Sequence, residues 1–296
     1  MVLACDPARA LRALDPDGRQ ALIALGAFVE LAVLAALAAG RWAEVALHDD
    51  GVASIVLLPD PVLRPDPLFA ALPHRRSTRL AYDLEKPITP PDATALADAA
   101  GPAVGFGCVV EPRAVAVLRS LTRAAHERAE RLHAVAAEDA SWLRLEGRGD
   151  AAALGGIPVR GMEVRWATRL GLLSPARLAE PNSPAARMAR LQWANLFAAT
   201  ASFGWLATQA DRTADRLDAG RAYQRVDLAA AALGLAIHPV SEALGDVADL
   251  ADTRLELERL LGLAPPARVQ MLFRLGRAGP QPPTPRRPVQ SIVRQV

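Results

Sequence analysis

Residues 219–244 read AGRAYQRVDLAAAALGLAIHPVSEAL. The run predicts an arginine-bearing helix start at Arg221, a helix body lined by Ala222 and Ala229–Ala232, and a helix exit at Gly234. Small side chains allow another helix, or a flat ligand, to come close. Past the glycine, Pro239, Val240, Ser241 and Glu242 form a short segment with polar residues at its end, the kind of place where a ligand is held. The rest of the chain is read by asking what converges there.

Upstream, residues 20–40 are apolar except for Glu30, long enough for a membrane span. Alanine dominates them, and neither an anchor pattern nor a signal-peptide basic region flanks them, so the run reads as a buried core helix. Asp15-Pro16-Asp17-Gly18 supplies the turn and cap before it. Two β-rich runs, 42–47 and 52–59, flank Asp50-Gly51, a hairpin signal. The proline-rich stretch 59–67 reads as a linker or an extended arm. Thr89-Pro90-Pro91-Asp92 starts a helix, 104–111 reads as a core strand, and 113–145 has helical periodicity. Residues 146–190 carry no clear period and are long enough to be a lid. A strand is expected in ASFGWLATQ (201–209), a helix over 252–263, a strand over 269–276 and a proline-rich tail thereafter.

Composition narrows the function. Lys+Arg 34 against Asp+Glu 32 leaves a net charge of +2, which supplies no field for nucleic acid. Lys86 is the only lysine, so arginine clusters carry more information than the arginine count. Cys5 and Cys108 stand far apart and away from any metal-ligand spacing, which suits a reducing cytoplasm and no metal site. His74-Arg75-Arg76-Ser77-Thr78-Arg79 gathers three guanidiniums and two hydroxyls, the donors a phosphate monoester takes. Arg286-Arg287 in a stiff proline context form a second cluster that could close on the same anion. A solvated basic turn is the plainer reading, and spacing alone does not separate the two. Neither Gly-x-Gly-x-x-Gly nor a P-loop occurs. His238, Ser241 and Glu242 lack a nucleophile elbow. Their loop reads as one that presents backbone N–H groups to a ligand with His238 and Glu242 as caps, or as a plain turn.

A weak internal echo links Asp17-Gly18-Arg19 with Ala219-Gly220-Arg221, and each apolar helix leaves through a glycine, Gly40 or Gly234. Two halves of similar plan would pair the long helices at a pseudo-twofold seam. In an alanine-rich chain, chance accounts for such an echo better than a repeat does.

These strings also resemble a family. RRSTRLAY followed by PITPPDATALADAA is similar to the opening of nitroreductase-superfamily flavoproteins. DAGRAYQRVDLAAAALGLAIHPVSEAL, LERLLGL, QMLFRLGRA and PPTPRRPV resemble the C-terminal half of its Acg-type branch, so the likeness runs through nearly the whole chain. It implies an α+β nitroreductase-like fold: a central, mostly antiparallel sheet flanked by helices, with one chain imitating a homodimer across a pseudo-twofold axis. Residues 1–67 would be a partial N-terminal half, and 68–296 the flavin-binding half with a lid-like excursion at 146–190. The family's Ser-Gly-His-Asn-x-Gln-Pro-Trp-like stretch has no counterpart ahead of Asp6-Pro7.

The resemblance implies FMN as cofactor and NAD(P)H as electron donor. Arg75, Arg76, Ser77 and Arg79, joined by Arg286 and Arg287, would hold the phosphate and ribityl chain. Pro239, Val240, Ser241 and Glu242 would lie along the isoalloxazine near N5. The expected protein is a cytoplasmic flavin oxidoreductase passing electrons to a small-molecule acceptor such as a quinone or nitro compound, without nucleic-acid or membrane partners. It would be a pseudo-dimeric monomer or a homodimer. No catalytic side chain is assigned, because the flavin carries the chemistry. The alternatives are FMN storage or sequestration, and a degenerate non-catalytic binding module.

Overall fold

A two-residue strand, β1 (Val2–Leu3), and a turn at Pro7–Arg9 precede helix α1 (Arg19–Ala38) in the computed structural model, which describes residues 1–60, 62–147, 155–284 and 286–293. The α1 cap comes from upstream: the Asp15 carboxylate accepts the amides of Gln20 at 3.0 Å and Ala21 at 2.9 Å. The expected hairpin follows as β2 (Arg41–Leu47) and β3 (Ala53–Pro59), antiparallel, with Val45 opposite Ile55. A 3-10 turn at Pro67–Ala71 leads into the basic segment. Helix α2 (Pro90–Ala100) starts in a capping box, with Asp92 N donating to Thr89 Oγ1 and Thr89 N to Asp92 Oδ2.

Strand β4 (Gly105–Val109) is half-buried at a sheet edge, not the core strand its apolar sequence suggests. The periodic stretch after it breaks into α3 (Pro112–Ala129) and α4 (His133–Trp142), and strand β5 (Leu143–Leu145) takes its end. The span read as aperiodic holds β6 (Ile157–Val159), α5 (Met162–Arg169), α6 (Pro175–Ala179) and the start of α7 (Pro184–Ala198); residues 148–154 of the expected lid lie outside the described residues. These elements are too short for a period to show. The remaining elements are β7 (Ser202–Thr208), α8 (Thr213–Ala232), β8 (Ala236–Pro239), α9 (Ala251–Leu260) and β9 (Arg268–Gly276).

The chain divides into two units, residues 1–126 with 195–279 and residues 127–194 with 280–296. In the first, β4-β7-β9-β8 form an antiparallel sheet and β1-β3-β2 a smaller one. Leu96, Val226, Ala230, Ile237, Phe273 and Leu275 pack between α2, α8 and the larger sheet. This is an α+β arrangement with mostly antiparallel strands flanked by helices. In the second unit, β5 and β6 pair in parallel, and Ala140, Leu145 and Leu178 form a small core.

Helix α8 begins at Thr213, eight residues before the arginine start expected from sequence, so Arg221 lies inside the helix. Helix α1 is the one described helix long and apolar enough to cross a membrane, and here it packs along α8. Its lone carboxylate explains part of the fit: Glu30, buried, accepts from Arg221 Nε at 3.0 Å and from Arg225 Nη1 at 2.9 Å, and Arg225 also reaches Asp66 at 2.9 Å. Glycines explain the rest. Gly26 and Gly220 are each the eighth residue of a 20-residue helix. A Cβ on Gly26 would fall 2.0 Å from the carbonyl oxygen of Leu217, and one on Gly220 would fall 1.9 Å from that of Ile23. Leu217 and Ile23 are each the fifth residue of their helix, so the contact is reciprocal, as across a twofold axis. The closest approach runs through glycine, and of the alanines in the opening stretch Ala231 joins the cluster of Leu34, Ala71 and Leu228 beside it. The register also replaces the sequence echo: Gly220 pairs with Gly26, while Gly18 is the residue before α1.

Candidate functional site

Helix α8 ends as its sequence predicts. Gly234 adopts φ +66°, Gly234 N donates to Ala231 O at 3.2 Å and Leu235 N to Ala230 O at 2.8 Å. This turn sends the chain into β8, which is antiparallel to β9 and ends at Pro239. Val240 N–H continues that ladder to Leu272 O at 2.9 Å, so Ser241 and Glu242 are the first loop amides outside it.

The basic segment is laid on the other edge of β8. Ser77 bridges Ile237 in parallel and Thr78 N donates to Ile237 O at 2.9 Å. Two regions distant in sequence, Arg75–Arg79 and Pro239–Glu242, are thereby neighbours on one strand. Arg286 and Arg287 belong to the second unit, where Arg286 Nη1 donates to Thr284 Oγ1.

Each arginine of the segment is placed differently. Arg75 Nη1 donates to Asp227 Oδ2 of α8 at 2.8 Å. Burial raises the Asp227 carboxyl to about 6 despite that partner, while the Asp227 charge keeps the Arg75 guanidinium firmly protonated. Arg76 turns Nη1 back onto Arg75 O at 2.7 Å, which leaves its Nε buried with no hydrogen-bond partner. A buried N–H without an acceptor costs about 1–3 kcal/mol. It is a donor that an anion would satisfy. Arg79 is exposed, and its charge acts on Tyr82, Tyr223 and His238.

Asp227, Arg274 and His126, which hold this arrangement, escape sequence reading. Arg274, fully buried in β9, donates Nε to Thr200 Oγ1 at 2.8 Å, Nη1 to His238 Nδ1 at 3.3 Å, and Nη2 to Leu80 O at 2.9 Å and Ala199 O at 3.1 Å. Its guanidinium lies 4.2 Å from the centre of the Tyr82 ring. Burial away from any carboxylate lowers its pKa to about 10. Burial, then the charges of Arg79, Arg274 and His126, hold the His238 pKa well below its ordinary value, so its ring is neutral and accepts at Nδ1; His238 is a strand residue bonded to Arg274 and not the loop cap expected. His126 of α3, also buried, bonds Glu242 Oε1 through Nδ1 at 2.9 Å, with Phe197 tilted against its ring at 5.7 Å. Burial pushes the Glu242 carboxyl up, but the His126 bond and charge, with the Glu242 and Ser241 amides, leave it below its ordinary value. Glu242 thus ties the loop to α3. One signal was available for Arg274 and Asp227: a charge among apolar residues of a core strand or helix needs a partner.

With this geometry in hand, comparison with known proteins is informative. The nitroreductase family model matches residues 72–277. A protein of Mycobacterium tuberculosis named "Putative NAD(P)H nitroreductase Rv3131" is 30% identical over 312 aligned residues, spanning 97% of this chain and 80% of that protein. Among solved structures, the FMN-dependent nitroreductase NfnB of Mycobacterium smegmatis, in complex with NADPH, matches with a TM-score of 0.46 at 18% identity, over 76% of this chain and 96% of that one. A nitroreductase of Bacteroides fragilis with bound FMN matches with a TM-score of 0.44 at 15% identity, over 78% and 98%. The family match spans the α2-to-β9 scaffold, the basic segment and the loop after β8, and it settles the affiliation: this chain belongs to the nitroreductase family.

Proposed function

We propose that the protein is an FMN-binding, NAD(P)H-dependent oxidoreductase of the Acg-type branch, acting on an electron-poor small molecule such as a quinone or nitro compound. The observation that carries this reading is the buried Arg76 Nε without an acceptor, in a basic segment bonded to the strand that leads into the Pro239–Glu242 loop. Arg76 and Arg79 hold the FMN phosphate together with the Ser77 hydroxyl. Arg75, fixed by Asp227, sets the course of the segment and adds positive charge. The Pro239–Glu242 loop lies along the isoalloxazine, held in shape by the Ser241 and Glu242 amides on the Glu242 carboxylate and by the bond of that carboxylate to His126. FMN bound there would supply the two-electron chemistry: hydride accepted from reduced nicotinamide and delivered to the acceptor. Membership of the nitroreductase family and the nicotinamide- and FMN-linked names of its relatives support this reading. The protein works in the cytoplasm, as a pseudo-dimeric monomer or a homodimer.

The test is an FMN titration followed by flavin absorbance, repeated for Arg76→Ala, and then anaerobic addition of NADPH. The expected result is a bound-flavin spectrum, affinity weakened about tenfold or more by Arg76→Ala, as for loss of one charge-assisted hydrogen bond, and bleaching by NADPH. Wild-type protein that binds no FMN overturns the proposal. Flavin bound but left oxidised by NADPH points to storage instead.

A further inference from the structure

Helix α5, in the second unit, is anchored at both ends and bare along one side. At its start, Gly161 N donates to the Glu146 carboxylate at 3.0 Å and Arg165 N to Gly161 O at 3.0 Å. Its end is a Schellman motif at Gly171, φ +70°, where Gly171 N donates to Thr168 O at 3.1 Å and Leu172 N to Ala167 O at 2.8 Å. Val164, Ala167 and Thr168 are half-buried, on the side toward the protein. The opposite side carries Met162, Trp166 and Leu170 in one i, i+4 row, and they are 75%, 56% and 68% exposed. Arg165 and Arg169 make the adjoining row, both exposed, with Arg169 Cζ 5.9 Å from the centre of the Trp166 ring. Arg160 is exposed just ahead of the helix, and Glu163 is the only acidic residue between Arg160 and Arg177. Among the described residues none of Arg160, Arg165 and Arg169 is bonded to a carboxylate.

We propose that this face of α5 docks the protein on an anionic lipid bilayer, with Met162, Trp166 and Leu170 at the boundary between headgroups and acyl chains and Arg160, Arg165 and Arg169 on the lipid phosphates. Charge complementarity selects this occupant. A second copy laid on the same face would set one arginine row against the other, with Glu163 alone on each side to offset them, whereas a surface of phosphates supplies a countercharge to every guanidinium. The apolar side chains suit the same boundary. An indole is apolar with one N–H for the headgroup level, and an arginine beside it keeps its stem on apolar surface while its charged end reaches the phosphates. The association is peripheral: among the described helices only α1 is long and apolar enough to span a bilayer, and it is packed along α8. The expected absence of a membrane partner therefore concerns insertion, for which an eight-residue helix such as α5 is too short.

The test is co-sedimentation of the full chain with vesicles of phosphatidylcholine alone and of phosphatidylcholine with about a third phosphatidylglycerol, at low salt. The partition coefficient is expected to be at least about tenfold higher on the anionic vesicles and to fall as salt is added. Trp166→Ala should lower it about tenfold, and Arg165→Gln with Arg169→Gln should bring it down to the value on neutral vesicles. Trp42→Ala, which removes an indole 48% exposed on β2, should leave it unchanged. All variants are checked for folding by circular dichroism. No sedimentation with either vesicle, equal partition onto both, or equal losses from Trp42→Ala and Trp166→Ala each overturns the proposal. So does a lipid-free dimer, seen by sedimentation velocity, that Trp166→Ala converts to monomer, because it gives the face to a second copy. None of these measurements needs bound flavin, so their failure leaves the proposed oxidoreductase function standing.

Discussion

Gly26 and Gly220 each press against the other helix's backbone so closely that an added Cβ would meet a carbonyl oxygen at 2.0 and 1.9 Å. Glycine inside an exposed helix is destabilising by about 1 kcal/mol relative to alanine. At this crossing the sign reverses, because the obstacle is backbone and neither helix can turn aside. Gly26→Ala and Gly220→Ala should each destabilise the fold by about 1–3 kcal/mol. The two losses should be similar, since the contacts are reciprocal, and the double variant should lose less than their sum, because one separation of the helices relieves both clashes. Urea unfolding of the three variants checks both statements; a stabilising Gly26→Ala would sink the close-contact reading.

The Arg75–Asp227 pair makes stability depend on pH. The Asp227 carboxyl sits at about 6 in the folded chain against an ordinary 3.8, so folding favours its protonated form. The contribution is fully present below about pH 4 and is lost as pH rises through 6, worth at most about 3 kcal/mol by linkage. Asp227→Asn should flatten the pH dependence of unfolding between 4 and 6. Arg75→Ala removes the one countercharge and should push the Asp227 carboxyl further up, steepening the loss toward neutral pH. Urea midpoints at pH 4, 5, 6 and 7 for the three proteins distinguish these outcomes.

Glu242 titrates in the opposite sense. Its carboxyl is held below the ordinary 4.5, so it stabilises the fold above that value, and the contribution fades as pH falls through the lowered one. Glu242→Gln should make the protein less stable at pH 7 and less sensitive to acid below pH 4.5. Thermal unfolding at pH 3.5 and 7 reads both; an unchanged acid limb would show that the bond to His126 contributes little.

Arg274 is the least replaceable side chain near the candidate site. Four acceptors surround it in a buried setting; Ala199 O keeps the Tyr82 amide, but removal takes a hydrogen bond from each, and an acceptor left with no other donor costs about 1–3 kcal/mol. Arg274→Met should cost several kcal/mol. Arg274→Lys should be no better, because one ammonium cannot span Thr200, His238, Leu80 and Ala199 while the buried charge remains. Thermal unfolding of both variants is the check, and near-normal stability for the lysine variant would contradict it.

Much of the fold was legible in local chemistry. The Asp50-Gly51 hairpin, the Thr89–Asp92 capping box and the Gly234 exit are short-range devices: a turn residue, a side chain reaching three amides ahead, and a positive φ need no distant partner. The start of α8 was misplaced by eight residues because Arg212 and Thr213 lie beyond a polar turn of helix that carries no apolar period. The small elements between residues 157 and 179 stayed hidden because none is long enough to show one.

The candidate site divides along the same line. Its residue types, three arginines with two hydroxyls and a polar loop behind a glycine, are written in the chain. Which arginine meets Asp227, which keeps an unbonded buried N–H, and which strand carries both regions depend on pairings between residues more than 150 positions apart. The pseudo-twofold shows the limit most plainly. Local similarity suggested an echo in the wrong register, whereas the register itself is fixed by where two backbones can touch, a condition that exists only once α1 and α8 are packed.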